Sequence, residues 1–147
     1  MKKIVNIVLL LFCVSYLYSQ DLKIINGDTI NFTDTKHFKQ GYWEEGNPQS
    51  PIKGFYKDGI KTGTWITYHL NDIPNKIESY MNGKKNGPFL SLDQNGTISD
   101  LENYKNDLLH GIVKHYTYGR ISSEQHYVNG KLEGIKKVYY LCNPLNS

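Results

Sequence analysis

The sequence predicts an all-β fold, an elongated antiparallel meander of stacked β-hairpins, and three observations carry that expectation. The first is composition: 12 Tyr and 13 Gly among 147 residues suit twisted strands joined by tight turns better than packed helices. The second is a tandem repeat. Tyr56-Lys57-Asp58-Gly59, Tyr80-Met81-Asn82-Gly83, Tyr104-Lys105-Asn106-Asp107 and Tyr127-Val128-Asn129-Gly130 share one pattern, with their tyrosines 24, 24 and 23 residues apart, and a further glycine (Gly63, Gly87, Gly111, Gly134) follows each. The third is turn chemistry. Asp-Gly and Asn-Gly tolerate the positive φ angles of the type I′ turn, whose twist matches that of antiparallel strands, and Asn106-Asp107 is a weaker version of the same signal.

A second set of turn signals, Asn71-Asp72, Asn95-Gly96 and Tyr118-Gly119, falls between the first and divides each repeat into two short strands. One repeat is therefore one hairpin plus its connection. Lys39-Gln40-Gly41-Tyr42-Trp43 matches Lys61-Thr62-Gly63-Thr64-Trp65, which marks a degenerate opening repeat, and the last copy stops half-finished. Because alternate side chains of a strand point to opposite faces, the strand after each late glycine places Trp65, Phe89, Val113 and Lys136 on one face. The other face receives Ile66 and Tyr68, Leu90 and Leu92, Ile112 and Tyr116, Ile135 and Tyr139. The returning strands, with Lys76-Ile77-Glu78-Ser79 and Asp100-Leu101-Glu102-Asn103, are more polar and read as exposed or edge strands.

Length and a composition of 39% hydrophobic and 21% charged residues fit one ordinary globular domain. Residues 1–20 stand apart: Lys2 and Lys3 precede an apolar run from Ile4 to Tyr18, then Ser19 and Gln20, with the first acid at Asp21. This is the pattern of a secretory signal peptide, and the run is shorter than a membrane span of roughly 20 apolar residues. The expected organisation is a signal peptide at 1–20, an N-terminal segment with the degenerate repeat at 21–55, repeats over 56–141 and a tail at 142–147. Export to a bacterial periplasm or beyond the cell follows, with a mature N-terminus at Asp21. Cleavage would remove two of the 17 basic residues and none of the 14 acids, leaving a net charge near +1. Nucleic acid is not an expected partner, because phosphate binding needs clustered Lys and Arg. Cys13 lies in the apolar run behind a bulky Phe12, unlike a lipidation signal, and Cys142 would be alone in the mature chain, so no internal disulfide is expected.

The recurring Tyr-x-Asn-Gly-Lys-x-x-Gly-x-aromatic unit resembles the MORN repeat and is similar to its bacterial YwqK-type antitoxin variant, over about residues 39 to 140. Asp107 in place of the turn glycine and Lys136 in place of the aromatic depart from the pattern. The resemblance implies an elongated twisted sheet of hairpins used for binding, dimerisation or scaffolding, with lipid contact proposed for some eukaryotic relatives and no catalytic residues in the repeat.

Signatures of chemistry are absent. The five histidines, His37, His69, His110, His115 and His126, form no His-Glu-x-x-His motif, and no Cys-x-x-Cys occurs, so neither a metal nor another cofactor is expected. A cross-strand cluster of His110, His115 and His126 is the one metal arrangement the spacing permits. Ser91, Ser122 and Ser123 lack a nucleophile elbow. Glu78 and Glu102 recur in register, as acids on a solvated face do, and Glu44 and Glu45 are simply adjacent. The turn glycines precede no helix that could bind phosphate, and Asn31-Phe32-Thr33 and Asn95-Gly96-Thr97 match glycosylation acceptors that a bacterial protein would leave unmodified. The expected function is a non-enzymatic exported module that binds a protein or envelope component; an enzyme acting on envelope polymers is the weakest alternative, with no site signature behind it. Tyr68, Tyr116 and Tyr139 are the candidate contact residues, since tyrosine pairs a broad apolar ring with a hydroxyl. Lipid is the less favoured partner, because no cluster of basic residues is visible along the chain.

Overall fold

The computed structural model describes residues 23–25 and 28–140, with side chains from Thr29 onward. The expected export segment, Asp21, Cys13 and Cys142 lie outside the described residues. The chain forms β1 (Lys23–Ile25), β2 (Asp28–Ile30), β3 (Phe32–Thr33), β4 (Lys39–Asn47), β5 (Ser50–Lys57), β6 (Ile60–Tyr68) and β7 (Pro74–Met81). It continues through β8 (Lys84–Leu92), β9 (Ile98–Lys105), β10 (Leu108–Leu109), β11 (Gly111–Thr117), β12 (Arg120–Val128), β13 (Lys131–Leu132) and β14 (Lys137–Val138). From β3 onward these strands make one open antiparallel sheet in the order β13-β12-β11-β9-β8-β7-β6-β5-β4-β3, with the short β10 paired to β9 and β14 to β12, while β1 and β2 pair separately. The predicted all-β meander of hairpins is the observed fold.

The turns are as the sequence chemistry requires. Asp58-Gly59, Asn82-Gly83, Asn129-Gly130 and Tyr118-Gly119 all take positive φ at both positions, and Asn106-Asp107 does so with φ of 51° and 68°. Aspartate thus fills a glycine's role because its short polar side chain tolerates the left-handed region. Four of these five turns also tie their hairpin to the one before. The amide N–H groups of Gly59, Gly83, Asp107 and Gly130 donate to the carbonyls of Lys39, Lys61, Lys85 and Leu109 at 2.8 to 3.0 Å. Neighbouring repeats therefore share backbone hydrogen bonds as well as side chains, which is how a linear array gains stability from its interfaces.

Register sorts the side chains onto two faces. Trp65 lies opposite Glu78, Glu78 opposite Phe89 and Phe89 opposite Glu102, so these share the aromatic face, where Trp65, Phe89 and Val113 are buried to 0%, 6% and 3% exposure. The other, aliphatic face carries Ile66, Ile77, Leu90 and Leu101, each directly opposite the next. The returning strands β7 and β9 are central in this sheet, not at its edges. Their polarity has another cause: in a single-layered sheet both faces meet solvent, so a central strand can carry Lys76, Glu78 and Glu102 without burying a charge.

The last repeat departs from expectation. Residues 133–136 lie outside any strand and Ile135 is exposed, so Ile135 does not continue the aliphatic row. Lys136 would occupy the position of Trp65 and Phe89, and a lysine cannot be buried there without a partner. Short end strands of two residues each, β3 at one side and β13 and β14 at the other, leave little backbone for another chain to extend.

Candidate functional site

Three surfaces are built by the register. On the aromatic face, rings meet edge to face or tilted along the sheet: Trp43 against Tyr56 (5.9 Å between centroids), Tyr56 against Trp65 (4.8 Å), then Tyr80 against Phe89 (5.6 Å) and Phe89 against Tyr104 (4.8 Å). Lysines at equivalent positions cap them. Lys39 Nζ sits 4.4 Å from the Trp43 ring centre, Lys61 3.9 Å from Trp65 and Lys85 4.8 Å from Phe89, within cation–π range. Lys61 also lies 5.6 Å from Tyr80 and so bridges the two sets of rings. The unit is Lys-x-Gly-x-aromatic in the first three copies. In the fourth it becomes Leu109-x-Gly111-x-Val113, where cation and aromatic disappear together. Where the ring is absent, the lysine above it is absent too. Trp65 and Phe89 are buried packing residues, while Trp43, Tyr56, Tyr80 and Tyr104 beside them are half-buried.

Glutamates complete this face. Tyr56 Oη lies 3.2 Å from Glu45, and Tyr104 Oη donates to Glu102 at 2.8 Å. Burial pushes the Tyr104 phenol up, and the hydrogen bond and negative charge of Glu102 push it further, to about 12. Tyr56 and Tyr80 are raised too, by burial first and then by Glu45 and Glu78 respectively. A phenol that holds its proton in the fold beyond the usual value of 10.0 contributes stability that is intact below pH 10 and lost as pH rises toward 12. Alkaline titration followed at 295 nm should therefore show tyrosines that resist ionisation until the protein unfolds, and Tyr104→Phe should remove one of them. If every tyrosine titrates near pH 10 in the folded protein, the Glu102 contact does not hold in solution.

Across three strands of the same face the register brings Asp100, His115 and Ser123 into one row. His115 Nδ1 lies 2.7 Å from Asp100 Oδ1 and Ser99 donates to the other carboxylate oxygen at 2.8 Å. Partial burial raises the Asp100 carboxyl, but the bonds from His115 and Ser99 outweigh it and hold the group below its ordinary value. Sequence reasoning missed this row because residues 100, 115 and 123 meet only through strand register. An oriented imidazole alone is not a nucleophilic site, and the Ser123 hydroxyl makes no hydrogen bond to the His115 ring. His126 lies on the aliphatic face opposite Ile112, so it cannot share an ion with His115. Among the described residues no group of three or more potential ligands is placed to hold a metal.

The aliphatic face is the second surface. Beside the row Ile66, Ile77, Leu90 and Leu101 runs another formed by Tyr68, Leu92, Ile98, Tyr116 and Ile121, all only partly buried. Nothing among the described residues covers them. Ion pairs close the first row at both ends: Lys53 with Glu44 at 3.8 Å, and Glu124 with Lys114 and Lys137 at 3.5 Å each. Two of the three expected contact residues, Tyr68 and Tyr116, thus lie together here. Tyr139 is placed apart, at the outer edge, where its amide donates to the Ser122 carbonyl. Trp65 and Phe89 lie on the opposite face and are buried.

The third surface runs along the turns. On the aliphatic side each hairpin tip is flanked by a cross-strand pair of one lysine and one apolar residue: Lys57 with Ile60, Met81 with Lys84, Lys105 with Leu108, and Val128 with Lys131. The four lysines are exposed, as are Ile60, Met81 and Leu108. Along the sequence these lysines are dispersed among acids, and only the strand pairing reveals their alignment.

No family model matches the chain, and no curated protein matches it.

Proposed function

We propose that the chain is an exported, non-catalytic binding module of MORN-repeat type that presents its aliphatic face to an envelope or secreted partner. One observation carries this reading: nine partly exposed apolar side chains form two adjacent rows on a sheet face that nothing among the described residues covers. Apolar patches of such extent on soluble proteins are commonly contact sites. Tyr68 and Tyr116 supply the broad rings with polar tips that interfaces favour. The test is capture of partners from the native envelope by the tagged protein and by a Tyr68→Ser/Tyr116→Ser variant whose circular dichroism is unchanged. Loss of the captured protein supports the reading. Equal capture by both proteins places the contact elsewhere.

The row of lysines and apolar residues along the turns favours a second reading, contact with an anionic membrane surface. A lysine near such a surface contributes about 1 kcal/mol, so four aligned lysines supply about 4 kcal/mol at low salt. The protein should then sediment with vesicles containing anionic lipid, release in high salt, and lose binding when Lys57, Lys84, Lys105 and Lys131 are all changed to Gln. Sedimentation that is equal with purely zwitterionic vesicles, or insensitive to the four substitutions, removes this reading.

A further inference from the structure

The aliphatic face carries a pattern that specifies its occupant. Read across the sheet, the central row runs Glu44, Lys53, Ile66, Ile77, Leu90, Leu101, Lys114, Glu124, Lys137, each residue directly opposite the next. In charge this is acid, base, four apolar groups, base, acid, base. Turned end for end about its middle residue, Leu90, the row becomes complementary to itself.

We propose that a second copy of this chain covers the aliphatic face, in a two-fold symmetric dimer with Leu90 on the axis. The inference rests on the reading that this face is a docking surface, and it names the partner. In that arrangement Leu90 meets its own copy and Ile77 meets Leu101 of the second copy. At the ends Lys53 meets Glu124 and Glu44 meets Lys137. The remaining charge, Lys114, lies against Ile66, where its aliphatic stem packs and its ammonium reaches solvent. A two-fold interface uses one patch twice, so such self-complementarity is what it demands. An axis midway between Leu90 and Ile77 would set Lys53 against Lys114 and Glu44 against Glu124, like charge on like. An axis at Ile77 itself would leave Glu124 and Lys137 with no counterpart. The axis through Leu90 gives the outer two charges at each end an opposite partner.

Size and shape agree. The row spans eight strand spacings and the central strands are eight or nine residues long, so the face measures roughly 1,000 Å² from ordinary strand dimensions, against about 800 Å² per partner in a standard interface. Twisted sheets packed face to face cross at about 30°, which keeps two like-handed sheets in contact along their length.

Sedimentation equilibrium of the protein purified after export should show a dimer at tens of micromolar, and Leu90→Asp should give a monomer with unchanged circular dichroism. The decisive test is a charge exchange. Lys53→Glu and Glu124→Lys should each weaken dimerisation about tenfold or more, and the double variant should recover most of the loss. Within one chain the double variant breaks the pairs with Glu44 and with Lys114 and Lys137, so recovery can come only from the exchanged charges at positions 53 and 124 meeting across the interface. A double variant weaker than either single one, or a Leu90→Asp protein that remains dimeric, overturns the proposal. A monomeric protein overturns it as well. If that monomer still loses its envelope partner on Tyr68→Ser/Tyr116→Ser, the dimer fails alone and the docking face stands.

Discussion

Trp65→Ala is expected to be the most destabilising single truncation in this protein, and Gly54→Ala is expected to come close to it through the same contact. Trp65 is the one fully buried large side chain among the described residues. Its indole lies flat on the backbone of β5, where Gly54 leaves room: a Cβ at residue 54 would sit 2.2 Å from Trp65 Cδ2 and 2.4 Å from Cε2. Tyr56 and Lys61 close the other sides, and the indole N–H donates to the Phe55 carbonyl at 3.2 Å. A buried aromatic cut to alanine typically costs about 3–5 kcal/mol. A single-layered sheet has few other buried groups to share that loss, and total stabilities are only about 5–15 kcal/mol. Gly54→Ala acts from the opposite direction, because a methyl group there must lift the indole away from β5 and expose it, at a cost of about 1–3 kcal/mol or more. The two substitutions share one space, so their effects should not add. With Trp65 gone, the three atoms that a Cβ at 54 would meet first are gone too, and the double variant should melt within a few degrees of Trp65→Ala alone. Thermal unfolding of the four proteins gives the coupling energy directly. Additive losses would mean that the indole does not rest on Gly54 in solution.

The aromatic face was legible in the sequence and the aliphatic face only in part, for a physical reason. Trp65, Phe89 and Val113 recur at one position of a repeat, and a strand's strict alternation assigns them to one side without knowledge of the partner strand. The same alternation placed Tyr68 and Tyr116 together correctly. Charge patterning was not legible, because it depends on which residues meet across strands. Lys53, Lys114, Glu124 and Lys137 are scattered along the chain and become the ends of one row only through register. Lys57, Lys84, Lys105 and Lys131 likewise look dispersed among acids until the hairpins align them. Asp100 and His115 meet for the same reason. The polarity of β7 and β9 misled because rules for edge strands assume that central strands are covered, and a single-layered sheet covers neither face. The strand containing Ile135 failed where Lys136 replaced the aromatic that would have anchored it.

Gly83→Val should lower stability more than Gly119→Val, although both turns are equally well formed. Tyr118 and Gly119 take φ of 50° and 71°, matching Asn82 and Gly83 at 51° and 78°. A β-branched residue is strained in that region by about 1–3 kcal/mol wherever it is placed, so the backbone cost is common to both variants. What differs is the neighbouring hairpin. The Gly83 amide donates to the Lys61 carbonyl at 2.9 Å, one rung of the ladder that joins successive repeats, and a Cβ at 83 would meet Ile60 Cγ2 at 3.0 Å. At 119 the nearest atom is Thr97 Cγ2 at 3.5 Å, an ordinary contact. A valine at 83 must therefore either press on Ile60 or draw the turn away from Lys61, and a lost backbone hydrogen bond adds about 0.5–1.5 kcal/mol. Asparagine separates the two contributions, because it accepts positive φ at little cost but still carries the Cβ. Gly119→Asn should melt close to the unmodified protein, while Gly83→Asn should remain measurably destabilised, and hydrogen exchange at residue 83 should quicken with it. Equal melting temperatures for the two asparagine variants would show that the bond between repeats adds nothing to the stability of the array.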